Sequence, residues 1–483
     1  MILIVLPSHY PFVIATCLEY ALKEVARGKQ VAIVNFSWLD SKFINHRKRK
    51  FLANYTYRPR INYVIKKWCK KNKIKLLEFE VTVFISEISS IRTDDFINEH
   101  FIRTIRSTHA KSFGSIGFDL TEFPQDELES NLQGFLLVQL IMRNLTQSFS
   151  EISNLRVVTV NGRFNIDSSV LLFCKINGIK YTVLESGLNG WNKYLEFESS
   201  IQSISELRML MNDTWQTDVL AGKIDGRALA TEHMNNRLNS KWRWSASSSE
   251  NVLDKSTIGN YGVFFPSSNW EFGIFDHEIS EQSQQVSQAE AFQWFTDYCN
   301  RNGLVPIVRV HPHPESLAIA DIENQIWEER IEKYKGVLVK SNGDINSHKL
   351  AENATINVVH QSSIGAELLW SGRPTVITGE TLYSELVPEF VVKTNLEFES
   401  RLQASSVLKD RERLLPWAYF MEFGGNDFTH FKVLDDNLIN YHNRKFISKN
   451  WLINKLLTVW GVCQRFKIYG YQRLNYFSIS RRK

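Results

Sequence analysis

The chain has 483 residues, 43% of them hydrophobic and 23% charged, with 23 Gly and 11 Pro. At roughly 150 residues per domain this is enough for two or three globular units, and the composition excludes collagen-like, low-complexity and disordered classes. The net charge of +5 is carried by two acid-free stretches, Ser41 to Leu77 and Tyr441 to Lys483, set in an otherwise acidic chain.

Met1 to Leu6 is an apolar, β-rich run that Pro7-Ser8-His9 interrupts. No charged segment precedes it, so it is read as a strand and not as a signal peptide. Phe12 to Arg27 has helical spacing of apolar residues, Gly28 stops it, and Val31 to Phe36 is a second strand: together they make one βαβ unit. The basic stretch Ser41 to Leu77 follows, with Lys42, Arg47, Lys48, Arg49, Lys50, Arg58, Arg60, Lys66, Lys67, Lys70, Lys71, Lys73 and Lys75 interleaved with Phe51, Tyr55, Tyr57, Tyr63 and Trp68. Phe135 to Met142 is the face of a helix. No apolar run approaches the roughly 18 residues that span a bilayer. A second α/β set comprises the strand Arg156 to Val160, the loop Asn161-Gly162-Arg163, a helix near Ser168 to Ile176, and the strand Lys180 to Leu184 leading into Glu185-Ser186-Gly187.

A polar segment at Ser245 to Thr257 reads as a linker. Beyond it the alternation restarts with strands at Tyr261 to Phe265, Val305 to Val310, Val337 to Val339, Ile356 to Val359 and Pro374 to Thr378. Helices are expected at Ser287 to Asn302, Ile322 to Tyr334 and Ile364 to Ser371, with a helical turn near Ser347 to Ala351. Such units imply parallel sheets covered by helices on both faces. The expected domains are 1–245, a linker at 246–257, 258–415, a crossover segment at 416–440 and a basic aromatic tail at 441–483. The tail holds ten Lys/Arg, with Trp451, Trp460, Phe466 and Tyr469 among them. Five scattered cysteines without a C-x-x-C pair fit a reducing compartment and no disulfide framework.

Neither a Walker A motif nor G-x-G-x-x-G is present, which counts against P-loop phosphoryl transfer and a standard dinucleotide site. Two strand-end motifs carry the chemistry instead. Arg309-Val-His311-Pro-His313-Pro places a cation and an imidazole after a buried strand, where both can meet phosphate oxygens. Gln361-Ser362-Ser363-Ile-Gly365-Ala-Glu367 places hydroxyls and backbone N–H groups at a helix start. Each has an ordinary alternative: a turn with satisfied histidines, a serine N-cap, a first-turn acid that complements the helix dipole.

The order R-x-H-P, then S-S-x-G-x-E, then a Gly-Pro-Gly pattern with Tyr383 just beyond, resembles the carboxy-terminal half of GT-B glycosyltransferases of the bacterial capsule and surface polysaccharide biosynthesis group. The resemblance covers Gly262 to Tyr383, including Phe265-Pro-Ser267-Ser268-Asn-Trp-Glu271, and is weaker from Met1 to Trp191. It implies an α/β protein of two Rossmann-like domains facing each other across a cleft, the segment Pro416 to Asn440 crossing back to the first domain and leaving the basic stretch from Tyr441, read from its composition, as a basic C-terminal helical tail. It implies a hexosyl- or ulosonic-acid-type transferase working on a nucleotide-sugar donor without a metal. Ser267, Ser268, Glu271, Arg309, His311, Ser362, Ser363 and Glu367 would bind the donor, Glu367 through its ribose. Asn161 and Arg163 would lie on the acceptor side. Glu185, and after it His9, are the candidates for the base of an inverting transfer. The acceptor would be a surface polysaccharide or lipid-linked glycan. The enzyme would be cytoplasmic and peripheral to the anionic inner face of the membrane, with no nucleic acid partner. Glycerophosphate transfer, or a noncatalytic glycan- or nucleic-acid-binding protein with the same shell, are the alternatives.

Overall fold

A computed structural model gives the structure of the protein and describes residues 1–8, 10–37, 51–77, 97–105, 125–149, 154–199, 203–222, 224–239, 251, 253, 258–268, 286–311, 317–403, 407–435 and 438–448. The protein is a mixed α/β chain with two sheets built on parallel strands and one small antiparallel sheet. Two compact units divide it: Met1–Ile105, Asp119–Ile201 and the chain from Gly425 form one, and the chain from Gln202 to Gly424 is the body of the other.

In the first unit, β1 (Ile2–Leu6), α1 (Pro11–Ala26), β2 (Val31–Asn35), α2 (Phe51–Lys71), β3 (Lys75–Leu77), α3 (Gln125–Ser148), β4 (Arg156–Val160), α4 (Asn165–Ile176), β5 (Lys180–Gly187) and β6 (Gly190–Phe197) follow one another. The strands lie in the order β6-β5-β4-β1-β2-β3. All are parallel except β6, which returns antiparallel to β5. All five residues of β1 are buried, because the sheet is covered on both faces. The pleat divides them: Ile2, Ile4 and Leu6 join α1 residues such as Ile14 and Leu18, whereas Leu3 and Val5 join Leu137, Ile141 and Val170 of α3 and α4. Pro11 opens α1 at a position where its missing N–H costs nothing.

The second unit opens with α5 (Ile204–Thr214), a π-type turn at Trp215–Leu220 and α6 (Gly226–Leu238). The α/β series then runs β7 (Tyr261–Phe265), α7 (Gln288–Arg301), β8 (Val305–Arg309), α8 (Leu317–Glu332), β9 (Val337–Val339), α9 (Ser347–Glu352), β10 (Ile356–His360), α10 (Ile364–Trp370), β11 (Thr375–Thr378), β12 (Val391–Val392) and α11 (Asn395–Gln403). The sheet order is β12-β11-β10-β7-β8-β9, every pair parallel. Ser287 and Glu290 close a reciprocal capping box at the start of α7. A last helix, α12 (Leu415–Phe423), packs on α6, where His233 Nδ1 lies 2.8 Å from Glu422.

At Gly425 the chain rejoins the first unit. Its φ of +99° and the 2.9 Å separation between an added Cβ and the Tyr194 carbonyl leave room only for glycine. β13 (Asn426–Asp427) then pairs antiparallel with the free edge of β6. A meander of β14 (Phe431–Asp435), β15 (Leu438–Tyr441) and β16 (Arg444–Ser448) covers α1 and α2. The buried Glu19 carboxylate on α1 accepts backbone N–H groups of Thr429, His430 and Phe431 at 2.8–3.0 Å and fixes this return.

Most predicted strands and helices stand within a few residues of their expected ends. Two readings need correction. The strand expected to stop at Leu184 continues to Gly187 and turns into β6, since Glu185 and Ser186 find antiparallel partners in Leu195 and Tyr194. The tail expected to be helical starts as a turn and a strand over 441–448, because its first residues pair with β15. The linker 246–257 lies almost wholly outside the described residues, as do 449–483.

Candidate functional site

In the second unit the strand order reverses direction between β7 and β10. Ligands of open α/β sheets bind outside the carboxyl ends of the strands at such a point. The loops at it and beside it carry the sequence motifs: Ser267 and Ser268 after β7 and Gln361, Ser362 and Ser363 after β10 flank it, and His311 follows β8, the next strand. β8 and β10 flank β7, so by ordinary strand spacing their ends lie about 10 Å apart. Ser362, Ser363 and His311 are partly exposed.

Of the other predicted donor residues, Ser267, Ser268, Arg309 and Glu367 are bound into the framework. Ser267 donates its N–H and hydroxyl to Gln288 Oε1 at 2.9 and 3.1 Å, and Ser268 donates to Glu323 Oε1 at 3.1 Å. Arg309, expected to grip phosphate, is 2% exposed. Its Nε donates to Ser347 Oγ at 3.0 Å and its Nη1 to the Lys340 carbonyl at 2.5 Å, so it staples β8 to the segment after β9 and the start of α9. Burial lowers its pKa to about 10.

Glu367, expected to take ribose hydroxyls, is likewise enclosed, at 6% exposure. Its Oε1 accepts from Arg237 Nε at 2.7 Å, and its Oε2 lies 3.1 Å from His348 Nε2. Burial by itself would raise its pKa, but the Arg237 guanidinium and the His348 imidazole hold it down to about 2. Arg237 also donates to Ser363 Oγ at 3.2 Å and lies 5.4 Å over the Trp417 ring. Arg237 on α6 and His348 on α9 thus belong to the motif's support, and neither was singled out from the sequence. Arg237 stands 130 positions from its partner, with no local pattern to mark it.

Tyr383 is buried beneath the same loop and donates its hydroxyl to the Ser362 carbonyl at 2.7 Å. His360, at the end of β10, is buried against Thr378 Oγ1 at 3.1 Å, and burial lowers its pKa to about 3.

The first unit has the corresponding reversal between β1 and β4. There the predicted acceptor-side residues meet. Asn161, at φ +70°, donates Nδ2–H to Glu185 Oε2 at 2.7 Å and accepts the Arg163 N–H and Nε–H at 3.3 Å on its Oδ1. Glu185 Oε1 accepts the N–H and hydroxyl of Ser186 at 2.8 and 3.0 Å. A partly exposed carboxylate held by three donors keeps free lone pairs for a substrate hydroxyl. His9, Glu271 and Pro312 to Pro314, the last including His313, lie outside the described residues.

No family model and no curated protein matches the chain. Among solved structures, Thermosulfurimonas dismutans KpsC, a beta Kdo 2,4 transferase, is similar at 10% identity and a TM-score of 0.34, over 63% of this chain and 87% of that one. Methanocaldococcus jannaschii UDP-GlcNAc 2-epimerase, solved with UDP-GlcNAc and UDP, is similar at 11% identity and a TM-score of 0.24, over 62% and 78%.

Proposed function

We propose that the protein is a GT-B-type glycosyltransferase that moves a sugar from a nucleotide-sugar donor to a surface polysaccharide or lipid-linked glycan. One observation carries the reading: the hydroxyl motif follows β10 at the strand-order reversal and the imidazole motif, some fifty residues earlier in sequence, follows β8 one strand beyond it, both at the carboxyl edge of an all-parallel sheet. His311, Ser362 and Ser363 would donate to the phosphate of the donor. Arg309, Arg237, Glu367, His348 and Tyr383 would hold those loops in place and touch no substrate. In an inverting transfer the acceptor oxygen attacks the anomeric carbon, the bond to the phosphate oxygen breaks with its electron pair, and Glu185 takes the acceptor proton. The departing phosphate is served by hydroxyl, imidazole and backbone donors, so this reading requires no metal.

Thermal unfolding against UDP-, GDP-, CMP- and CDP-linked sugars tests it. A ligand at 100 times its Kd stabilises the folded state by about 2.7 kcal/mol. One nucleotide sugar should raise the midpoint in the wild type and fail to do so in S362A/S363A. Stabilisation by CDP-glycerol alone would assign glycerophosphate transfer instead, and stabilisation by an oligonucleotide alone would leave a nucleic-acid binder.

A further inference from the structure

The first unit presents a lysine-rich helix face that the transfer reaction does not use. On α2, Ile61, Ile65, Trp68 and Cys69 are buried in the core. Tyr63, Lys66, Lys67, Lys70 and Lys71 are exposed and, at 100° per residue, fall within an arc of about 140° on the opposite side. Lys73 and Lys75, just past the helix, are exposed as well, and the sequence has no acidic residue from Ser41 to Leu77. Tyr63 is 64% exposed, a ring standing among ammonium groups.

The fold sets a second basic segment beside this one from the far end of the chain. Trp68 packs its ring 5.8 Å from Phe431 and 6.2 Å from Tyr441, and α2 lies against β16. Lys432, Arg444 and Lys445 are exposed on that meander. Two basic elements distant in sequence thus pack against each other on one unit.

We infer that this face, α2 with the β14–β16 meander, docks the protein onto an anionic lipid bilayer. Lysine ammonium groups on flexible stems meet lipid phosphates and carboxylates as point charges, and an exposed tyrosine among them suits the headgroup layer. Single-stranded nucleic acid calls for a groove with several stacking rings. Here the helix face is convex, and the indole of Trp68 is spent in the core. The apolar side of α2 is also committed to the core, so binding is electrostatic and screened by salt. Docking does not depend on the proposed chemistry, and the two can fail separately.

The test is co-sedimentation of the full chain with phosphatidylcholine vesicles containing 0 or about 30% phosphatidylglycerol. Wild type should bind only the anionic vesicles and release at about 0.5 M NaCl. K66E/K67E/K70E/K71E should lose affinity on the order of 100-fold or more, at the wild-type melting temperature, with the C-terminal residues intact. K66Q/K70Q, the milder variant, should fall between the two and decides the matter if the fourfold variant does not fold. Unchanged vesicle binding in both variants overturns the inference. So does equal binding to neutral vesicles, no binding at all, or a wild type that binds a single-stranded oligonucleotide more tightly than anionic vesicles.

Discussion

Glu367 shows how little a residue type says about its role until its surroundings are known. A carboxylate at 6% exposure persists because Arg237 and His348 each take one of its oxygens. Removing one partner of a buried pair strands the other charge, at a cost of about 3–5 kcal/mol. R237A should therefore lower unfolding stability in urea by that order, whereas R237A/E367L should cost markedly less. Equal losses in the two would mean that the pair is not desolvated. Glu185 makes a contrasting case, since its partners Asn161 and Ser186 leave it reachable. E185Q should reduce kcat by about 10²–10⁴ if it is the base. The same substitution should shift stability by no more than about 1 kcal/mol, the scale of one hydrogen bond. A variant that keeps kcat would remove Glu185 from the chemistry.

Among the elements, the seating of α10 decides where Ser362 and Ser363 stand. A Cβ at Gly365 would lie 2.2 Å from the Tyr383 hydroxyl, the group that holds the Ser362 carbonyl. G365A should cost about 1–3 kcal/mol through overpacking and weaken donor binding by displacing the loop. Y383F in the same chain should relieve the clash and recover stability without restoring the bond to Ser362. Calorimetric melting of the single and double variants checks this. Legibility in the sequence also differs by element. β4 and β7 have the expected ends, because a buried parallel strand is a local apolar run. β6 (GWNKYLEF) is not legible as a strand in the sequence, since its pairing with β5 depends on a hairpin and on the later arrival of β13.

For the molecule as a whole, acid stability follows from groups in both units. Burial lowers the pKa of His100 in the first unit to about 4 and of His360 in the second to about 3, against an ordinary 6.5. Between pH 6.5 and those values the unfolded chain binds protons that the folded chain refuses, so stability falls as pH falls. Glu367, depressed from 4.5 to about 2, adds stability that is complete above pH 4.5 and disappears toward pH 2. Urea midpoints should therefore decline from pH 6.5 to 4 and more steeply below 4.5, and H360N should flatten the decline. A wild-type midpoint independent of pH between 4 and 6.5 would contradict the burial of both rings.

What the sequence determined by itself is the alternation of strands and helices, the parallel body of the two large sheets and the strand-end positions of Arg309, His311 and the Gln361-to-Glu367 motif. These are recorded in apolar periodicity and in glycine and proline stops, which act over a few residues. Tertiary structure alone decided that Arg309 and Glu367 are enclosed, that Arg237 and His348 stand beside the second motif, and that the chain returns at Gly425 to complete the first unit. Each of those facts turns on contacts between residues far apart in the chain and on the exclusion of water from them. Neither leaves a mark on the local order of residues.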